Sequence, residues 1–142
     1  MSSKVKPKRV REDMPESVVI VAEHDVLVRM MIAEYLRECG YRVIEAASGA
    51  DVLTVLKARR AVDVVLMNAQ IAGEGEGFRV ARRIRDTRPR IDLIMMSGVA
   101  KSAAKAGELC DSGPSEKPYH PQQLERHIRR LQEIRKASNS RW

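Results

Sequence analysis

The sequence predicts an α/β fold in which a parallel β-sheet is covered by helices on both faces. Short apolar runs rich in β-branched residues alternate with segments whose apolar residues recur at helical spacing. The alternation occurs five times when a weak fifth strand is counted, which is typical of a three-layer, doubly wound, five-stranded parallel sheet with right-handed crossovers. The length of 142 residues and the hydrophobic content of 44% fit one domain with a sizeable core.

The predicted strands are short, and their strength differs along the chain. The first four span residues 17–22, 41–46, 63–68 and 91–96. The fifth, residues 111–116, lacks an apolar run and contains Pro114, which is tolerated only in an edge strand. The strand 63–68 is apolar on both faces and leads to a glycine-rich loop at 73–77, so we expect it to be buried on both faces.

Capping residues mark the first two predicted helices. Asp25 is expected to cap the first helix, and Gly40 to end it. Its apolar repeat consists of Val26, Met30, Ala33 and residues 36–39. Ser48 and Asp51 have the spacing of a capping box, which predicts the start of the second helix.

The later helices are predicted from apolar stripes and prolines. The third helix carries a stripe formed by Phe78, Val80, Ala81 and Ile84. Pro89 ends this helix, and a weak helix follows at 100–106. Pro121 opens the last helix. Its apolar face consists of Leu124, Ile128, Leu131 and Ile134.

Basic residues dominate the surface, because the formal net charge is +7. Residues 1–16 are predicted to form a disordered basic arm, the domain to span 17–136, and residues 137–142 to form a flexible tail. The third helix also carries an arginine row, made of Arg79, Arg82, Arg83, Arg85 and Arg88. Either the arm and the row are simply solvated, or they bind an acidic partner; the charge favours nucleic acid, an anionic protein face or a membrane surface but does not choose among them.

Cysteines and hydropathy suggest a cytoplasmic protein. Cys39 and Cys110 match no metal-binding spacing and no disulfide framework, so two free thiols in a reducing compartment are expected. The first residues show no secretory signal, and no apolar run approaches the length needed to cross a membrane.

Polar residues at the ends of the predicted strands are the candidate functional groups. They are Glu23, His24 and Asp25 after the first strand, Asn68 at the end of the third, Ser97 after the fourth and Lys117 after the fifth. Ligands of open α/β sheets bind at this end of the strands. Asn68 is the central residue, because an acid there would serve as nucleophile and metal ligand whereas an amide serves as neither.

Taken together, these motifs resemble the receiver domain of response regulators, the phosphoacceptor module of two-component signalling. The resemblance covers about residues 17–135. It rests on the order and spacing of residues 19–23, 27–29, 40–41, 46–49, 63–66, 96–98 and 117–119. It implies a flavodoxin-like, CheY-like fold with strand order 2-1-3-4-5, which would place the ends of the first and third strands side by side.

The resemblance also implies roles for the residues at the strand ends. In the family, two acids after the first strand and an aspartate ending the third hold Mg²⁺, and the aspartate accepts a phosphoryl group from a histidine kinase. Glu23 matches the first acid, while Ser97 and Lys117 match the hydroxyl and the lysine that bind the phosphoryl oxygens. His24 stands in place of the second acid, Asn68 in place of the phosphoacceptor. A third departure is Pro114, which stands at the family's switch position.

These departures predict a pocket without phosphotransfer. Two formal negative charges are lost, so we expect Mg²⁺ binding to be weak or absent and no other cofactor to be required. Alternatives remain for each group: His24 is a rim residue or a ligand for a softer metal, and Asp25 either caps the helix or restores a carboxylate to the pocket. Ser97 and Lys117 are either phosphoryl contacts or structural groups, with Lys117 then pairing with Glu23.

Three classes of function follow. The first is an atypical pseudo-receiver without a catalytic residue, acting by phosphorylation-independent protein contact with a two-component partner; no output domain is expected after residue 135. The second is a basic nucleic-acid-binding accessory protein, disfavoured because no groove-reading motif and few aromatic residues are present. The third, an enzyme, is disfavoured because no nucleophile triad, metal triad or phosphate-binding loop is visible.

Overall fold

The fold is known from a computed structural model, which describes residues 17–59, 61–71, 76–110 and 121–139. The strands are β1 (Val18–Ala22), β2 (Arg42–Ala46), β3 (Val64–Asn68) and β4 (Asp92–Met96). The helices are α1 (Val26–Glu38), α2 (Gly49–Ala58), α3 (Glu76–Thr87), α4 (Val99–Leu109) and α5 (Pro121–Asn139). No helix in these described ranges is long and apolar enough to cross a membrane.

The strands form one parallel sheet in the order β2-β1-β3-β4. Ile20 of β1 pairs with Ile44 of β2 and with Val65 of β3, and Asn68 pairs with Met96 of β4. The parallel sheet and the order of these four strands are therefore confirmed. The predicted fifth strand at 111–116 lies outside the described residues, as do the arm 1–16 and Lys117.

Alternating side chains of the central strands support two separate cores. Val19 and Val21 point to the face that is covered by α1, α4 and α5, where they pack near Leu36. Ile20 and Val65 point to the opposite face, which is covered by α2 and α3. Because successive residues of a strand face opposite ways, a run that is apolar at every position is buried on both sides. The predicted three-layer arrangement is confirmed.

Helix α4 lies on the same face as α1. Its Ala103 and Ala106 belong to the core that contains Ile32 and Leu36 of α1. A right-handed crossover from β4 to a parallel strand beyond it would instead pass over the face of α2 and α3. The helix is also longer than the predicted 100–106, and Ser102 helps its first turn by donating its hydroxyl proton to the carbonyl of Gly98 (2.9 Å).

The predicted helix starts are confirmed by their hydrogen bonds. Asp25 Oδ1 accepts from the backbone N–H groups of Leu27 (2.9 Å) and Val28 (3.3 Å), which have no partner inside α1. Ser48 Oγ accepts from the N–H of Asp51 (3.1 Å), whose carboxylate accepts from the N–H of Ala47 (3.2 Å). The first bond is that of the predicted N-cap, and the second reaches Ala47, the residue before the position that a strict capping box uses; together they fix the start of α2.

Several surface predictions were wrong. Phe78 is 65% exposed although it belongs to the predicted apolar stripe of α3, because it lies in the first turn and only Val80, Ala81 and Ile84 reach the sheet. Arg88, assigned to the solvated arginine row, is half-buried and donates to the carbonyls of Leu56 and Arg59. Further exposed apolar side chains are Val26, Met30 and Ile134.

The carboxyl end of the described chain extends further than the predicted domain limit at 136. Helix α5 continues to Asn139, so residues 137–139 of the predicted flexible tail are helical. No proline or glycine interrupts residues 122–139, and an uninterrupted helix continues until a breaking residue or its capping groups end it.

The prediction of two free thiols was also wrong. Cys39 and Cys110 form a disulfide with a Cα–Cα distance of 5.8 Å, which lies within the usual range for such bonds. The two residues are 71 positions apart in the sequence. They meet because α1 and α4 lie side by side on one face and both end at the same edge of the sheet.

Candidate functional site

The site lies where β1 and β3 end next to each other. Ala22 and Met67 are paired across the two strands, so Glu23 and Asn68, the next residues along each strand, are neighbours. Asn68 Nδ2 donates a hydrogen bond of 2.9 Å to Glu23 Oε1. Glu23 is only 5% exposed. A buried carboxylate therefore has a neutral amide as its partner at the end of the strand.

Further hydrogen bonds fix both side chains. Asn68 Oδ1 accepts from the backbone N–H of Gln70 (2.8 Å), which orients the amide so that its nitrogen faces Glu23. Glu23 Oε2 accepts from the backbone N–H of Asp25 (2.9 Å). Both carboxylate oxygens of Glu23 and both polar atoms of the Asn68 amide thus have partners within the protein. The pair is satisfied without any bound ligand.

Arg29 of α1 contacts this edge of the sheet, and its role was not predicted. Its Nη1 donates to the carbonyl oxygen of Glu23 (3.0 Å), and its Nε donates to Glu45 Oε1 (3.2 Å). Arg37 Nη1 reaches the other carboxylate oxygen of Glu45 at 3.3 Å. The spacing of Arg29 four residues after Asp25 places it on α1, but only the pairing of β1 with β2 brings Glu45 within its reach.

Gly77, in the first turn of α3, lies close to the backbone of the site. A Cβ atom at Gly77 would clash with the carbonyl group of Ala69, the residue that follows Asn68. The N–H of Ala69 donates to the carbonyl of Met96 (2.7 Å), which ties the end of β3 to the end of β4. Only glycine fits this close approach of α3 to the chain next to Asn68.

The other predicted site residues are arranged around this pair in different ways. His24 is exposed at the rim, and Asp25 uses Oδ1 to cap α1. Ser97 is exposed and directly follows Met96, the partner of Asn68 in the sheet, so it lies at the same edge. The structure therefore brings Glu23, Asn68 and Ser97 to one edge, whereas Lys117 and Pro114 lie outside the described residues.

The donor groups at this edge do not fit a Mg²⁺ ion. Mg²⁺ requires oxygen ligands in near-octahedral geometry, usually including carboxylates. The amide nitrogen of Asn68 faces the Glu23 carboxylate, which also accepts from the backbone of Asp25. Within the described ranges, no group of three or more His, Cys, Asp or Glu side chains is placed to hold a metal ion. Weak Mg²⁺ binding remains a prediction.

Comparison with known sequences identifies related proteins. Residues 19–129 match the sequence profile of the family described as "Response regulator receiver domain". The chain is 29% identical over 116 residues to the uncharacterized transcriptional regulatory protein YbdJ of Bacillus subtilis, a match that covers 81% of this chain and 50% of that protein. It is 31% identical over 120 residues to the sensor kinase CckA of Brucella abortus, covering 82% of this chain and 13% of that protein. The chain thus spans half or less of the length of these curated relatives.

Comparison with solved structures agrees at the level of the fold. The response regulator receiver protein (CheY-like) of Methanospirillum hungatei has a TM-score of 0.57 at 17% identity, over 87% of this chain and 99% of that chain. The chemotaxis response regulator CheY4 of Vibrio cholerae has a TM-score of 0.54 at 19% identity, over 82% and 99%. The receiver domain of Ssk1 of Saccharomyces cerevisiae, solved with the histidine phosphotransfer protein Ypd1, has a TM-score of 0.52 at 16% identity, over 66% and 74%.

Proposed function

Because the chain belongs to the response regulator receiver domain family, we propose that it serves two-component signalling as a pseudo-receiver, through protein contact that does not depend on phosphorylation. The observation that carries this function is the hydrogen bond from Asn68 Nδ2 to Glu23 Oε1. Asn68 ends β3, the position at which the family carries its phosphoacceptor aspartate. Glu23 takes the place of one of the two acids after β1.

An amide at this position removes the chemistry of phosphoryl transfer. The nucleophile of an acyl phosphate is a carboxylate oxygen, whereas the oxygen of an amide is weakly nucleophilic and its nitrogen lone pair is delocalised. The Oδ1 atom of Asn68 is also occupied, because it accepts from the N–H of Gln70. Asn68 therefore acts as a structural hydrogen-bond donor, and we assign no catalytic residue to the chain.

The same hydrogen bonds replace the metal as the partner of the remaining acid. A hydrogen bond to a charged group contributes about 1.5–3 kcal/mol, and Glu23 accepts from both the Asn68 amide and the Asp25 backbone. Both side chains of the pair therefore have hydrogen-bond partners that the protein itself supplies. In this proposal the signal is the presence of the partner, not a change of state within the pocket.

The surface proposed for partner contact is the basic face of α3. Arg79, Arg82, Arg83 and Arg85 are exposed, and Arg88 is not part of this face because it contacts the carboxyl end of α2. With a net charge of +7, the chain suits an acidic protein surface. The Ssk1 receiver domain has been solved with a protein partner, and a protein of two-component signalling, in the cytoplasm, is the class proposed here.

Phosphoryl donors test the pocket directly. The unmodified protein should take up no label from radioactive acetyl phosphate in the presence of Mg²⁺, because no carboxylate stands at position 68. Intact-mass spectrometry at near-neutral pH, soon after mixing, measures the acyl phosphate before it hydrolyses, and a receiver that carries its aspartate serves as the positive control. Stoichiometric, Mg²⁺-dependent labelling of an aspartate in the unmodified protein would end the pseudo-receiver proposal.

Charge reversal tests the surface. The Arg82→Glu/Arg83→Glu/Arg85→Glu variant should slow association with the partner captured from the source cell by about tenfold or more at low salt, because opposite charges steer the encounter. Stopped-flow or surface-plasmon measurements give the on-rate. The matched control is Arg126→Glu/Arg129→Glu/Arg130→Glu, which changes the net charge equally at exposed positions of α5.

The control separates a local surface from the overall charge. Equal slowing by both variants would show that net charge alone steers binding, and an unchanged on-rate of the α3 variant would exclude this face. Binding to nucleic acid with an affinity that falls steeply with salt would favour the accessory-protein alternative, since counterion release makes such binding strongly salt-dependent.

A further inference from the structure

The disulfide between Cys39 and Cys110 joins the carboxyl ends of two helices on the same face of the sheet. Cys39 is the C-cap residue of α1 and Cys110 that of α4. The Cα atoms are 5.8 Å apart, and 71 positions separate the residues in sequence. The bond therefore fixes the far end of α4, the helix that starts directly after Ser97 and Gly98 at the edge of the candidate site.

Helix α4 packs on this face against α1 and α5, with the partly buried Leu109 and otherwise small side chains toward the core. Its buried apolar side chains toward this core are the small Ala103 and Ala106, together with Cys110 itself. Small side chains bury little apolar area, and the hydrophobic contribution is proportional to that area. One polar contact supports the same end, because Tyr41 Oη donates to the carbonyl oxygen of Leu109 (2.6 Å). The covalent bond adds to these contacts a fixed link between the ends of α1 and α4.

We propose that Cys39 and Cys110 form a reversible thiol–disulfide exchange site, which low-molecular-weight thiols of the glutathione class open, and that its oxidation state decides whether α4 is held on the α1 face. A disulfide in a cytoplasmic protein is usually transient and redox-sensing or catalytic. The reversibility of the disulfide thus rests on the cytoplasmic location that is part of the proposed function. It does not depend on whether the pocket at Asn68 accepts a phosphoryl group. The groups of the protein that are reduced and oxidised are the sulfur atoms of Cys39 and Cys110.

The exchange proceeds in two balanced steps. A thiolate of the reductant attacks the Sγ of Cys39, the new S–S bond forms, and the bond to Cys110 breaks with its electron pair passing to the Cys110 sulfur, which takes a proton from water. A second reductant thiolate then attacks the added sulfur and releases Cys39, which is protonated in turn. Two reductant thiols are oxidised to one disulfide, and the protein disulfide is reduced to two thiols.

The two sulfurs differ in access. Cys110 is 5% exposed, whereas Cys39 is only partly buried. A reductant therefore reaches Cys39 first, and Cys110 is the leaving group. Both residues lie at the carboxyl ends of helices, where the helix dipole disfavours an anion. We expect exchange with small thiols to be slow at neutral pH, on the time scale of minutes to hours that is usual for uncatalysed disulfide rearrangement.

A glutathione titration tests the site in the full-length protein. Samples equilibrated over a series of reduced-to-oxidised glutathione ratios are quenched with an alkylating reagent in denaturant, and the number of alkylated cysteines is counted by mass spectrometry. As the ratio of reduced to oxidised glutathione rises, we expect a single transition from no alkylated cysteines to two. In the same samples, amide hydrogen exchange of peptides from α4 should be faster after reduction than that of peptides from β1 and β3 by about tenfold or more, because α4 then opens locally whereas the strands exchange only when the whole domain unfolds.

Variants and internal controls decide between the outcomes. The Cys39→Ser/Cys110→Ser variant should show the fast α4 exchange of the reduced protein in every buffer. Two free thiols in the most oxidising buffer would overturn the site, as would a disulfide that survives the most reducing one. Equal α4 exchange in both states, or α4 exchange in the reduced protein that is no faster than that of β1 and β3, would show that the bond does not control α4 locally. None of these measurements involves a phosphoryl donor. Their outcome is therefore independent of the test that labels the pocket with acetyl phosphate.

Discussion

The His24→Asp/Asn68→Asp double variant should accept a phosphoryl group from acetyl phosphate and Mg²⁺ at least about tenfold faster than Asn68→Asp alone, a difference of about 1.4 kcal/mol or more in the barrier. In the single variant, a new carboxylate takes the place of the amide that now donates to Glu23 Oε1 at 2.9 Å. Two carboxylates sharing a buried site repel each other unless a cation lies between them.

The His24→Asp substitution supplies the carboxylate for Mg²⁺ that the Asn68→Asp variant lacks. His24 is exposed and directly follows Glu23, so an aspartate there adds a carboxylate at the rim without disturbing the core. Three carboxylates at the ends of β1 and β3 provide oxygen ligands for Mg²⁺, which neutralises the charge that develops during attack. Groups that act as one unit give non-additive effects, and the double variant should exceed the sum of the single ones.

Initial labelling rates by mass spectrometry check this expectation. His24→Asp alone is the matched control, since it has the extra carboxylate but no nucleophile and should stay unlabelled. Equal rates for Asn68→Asp and the double variant would contradict the role given to position 24. The carboxylate of Asp25 would then have to serve the metal, although its Oδ1 now caps α1 through the N–H groups of Leu27 and Val28.

Features that depend on contacts between residues close together in the sequence could be predicted, whereas features that depend on contacts between distant residues were harder to predict. The caps at Asp25 and Ser48 involve groups within three residues of each other, so their side chains and spacing suffice to identify them. The strands follow from apolar runs such as 64–67. The adjacency of Glu23 and Asn68 could not be predicted from local sequence alone, because it depends on the pairing of β1 with β3. That pairing was predicted from the resemblance to the family.

The wrong predictions concern positions whose surroundings are set by tertiary structure. The helical repeat assigns Phe78 to the apolar stripe, but no element of the described core covers the first turn of α3 at that position. Arg88 follows the last residue of α3 and turns back toward α2, where it donates to the carbonyls of Leu56 and Arg59. A cation at the carboxyl end of a helix is favourable, but sequence alone does not reveal which helix end lies nearby.

The cysteine pairing was beyond sequence reasoning for the same reason. The residues are 71 positions apart, and two cysteines in a chain without a disulfide framework are more often free thiols. Their meeting depends on α4 packing beside α1, an arrangement that the alternation of strands and helices did not predict. Once both helices lie on one face and run in the same direction, their carboxyl ends necessarily meet at one edge of the sheet.

Helix α4 connects the two notable features of the molecule. It begins after Ser97 and Gly98, at the edge that carries Glu23 and Asn68, and it ends at Leu109, next to Cys110 and near Tyr41, at the opposite edge. The pocket is held by hydrogen bonds between β1 and β3, and the far edge by a covalent bond between helices. A change in α4 can thus alter the exposed surface without any chemistry at Asn68.

Reduction of the disulfide should lower the free energy of unfolding by about 4 kcal/mol, which for a domain of this size corresponds to a melting temperature lower by on the order of 10 °C. The value follows from loop closure, because a cross-link between residues 71 positions apart removes much of the conformational freedom of the unfolded chain. Native contacts such as Tyr41 Oη to the Leu109 carbonyl do not need to change for this effect to appear.

Equilibrium unfolding in urea, followed by circular dichroism with and without reductant, measures the difference on the same chain and so avoids the cavity that a substitution at the buried Cys110 would leave. The Cys39→Ser/Cys110→Ser variant is the control, because its unfolding should not respond to reductant. Coincident transitions for the oxidised and reduced wild type would mean that the bond does not constrain the unfolded chain. A loss well above 4 kcal/mol would instead show that the bond also stabilises the folded state, in which α4 packs against the core that contains Ile32 and Leu36. The size of the measured loss therefore distinguishes an effect on the unfolded chain from an effect on the folded helix.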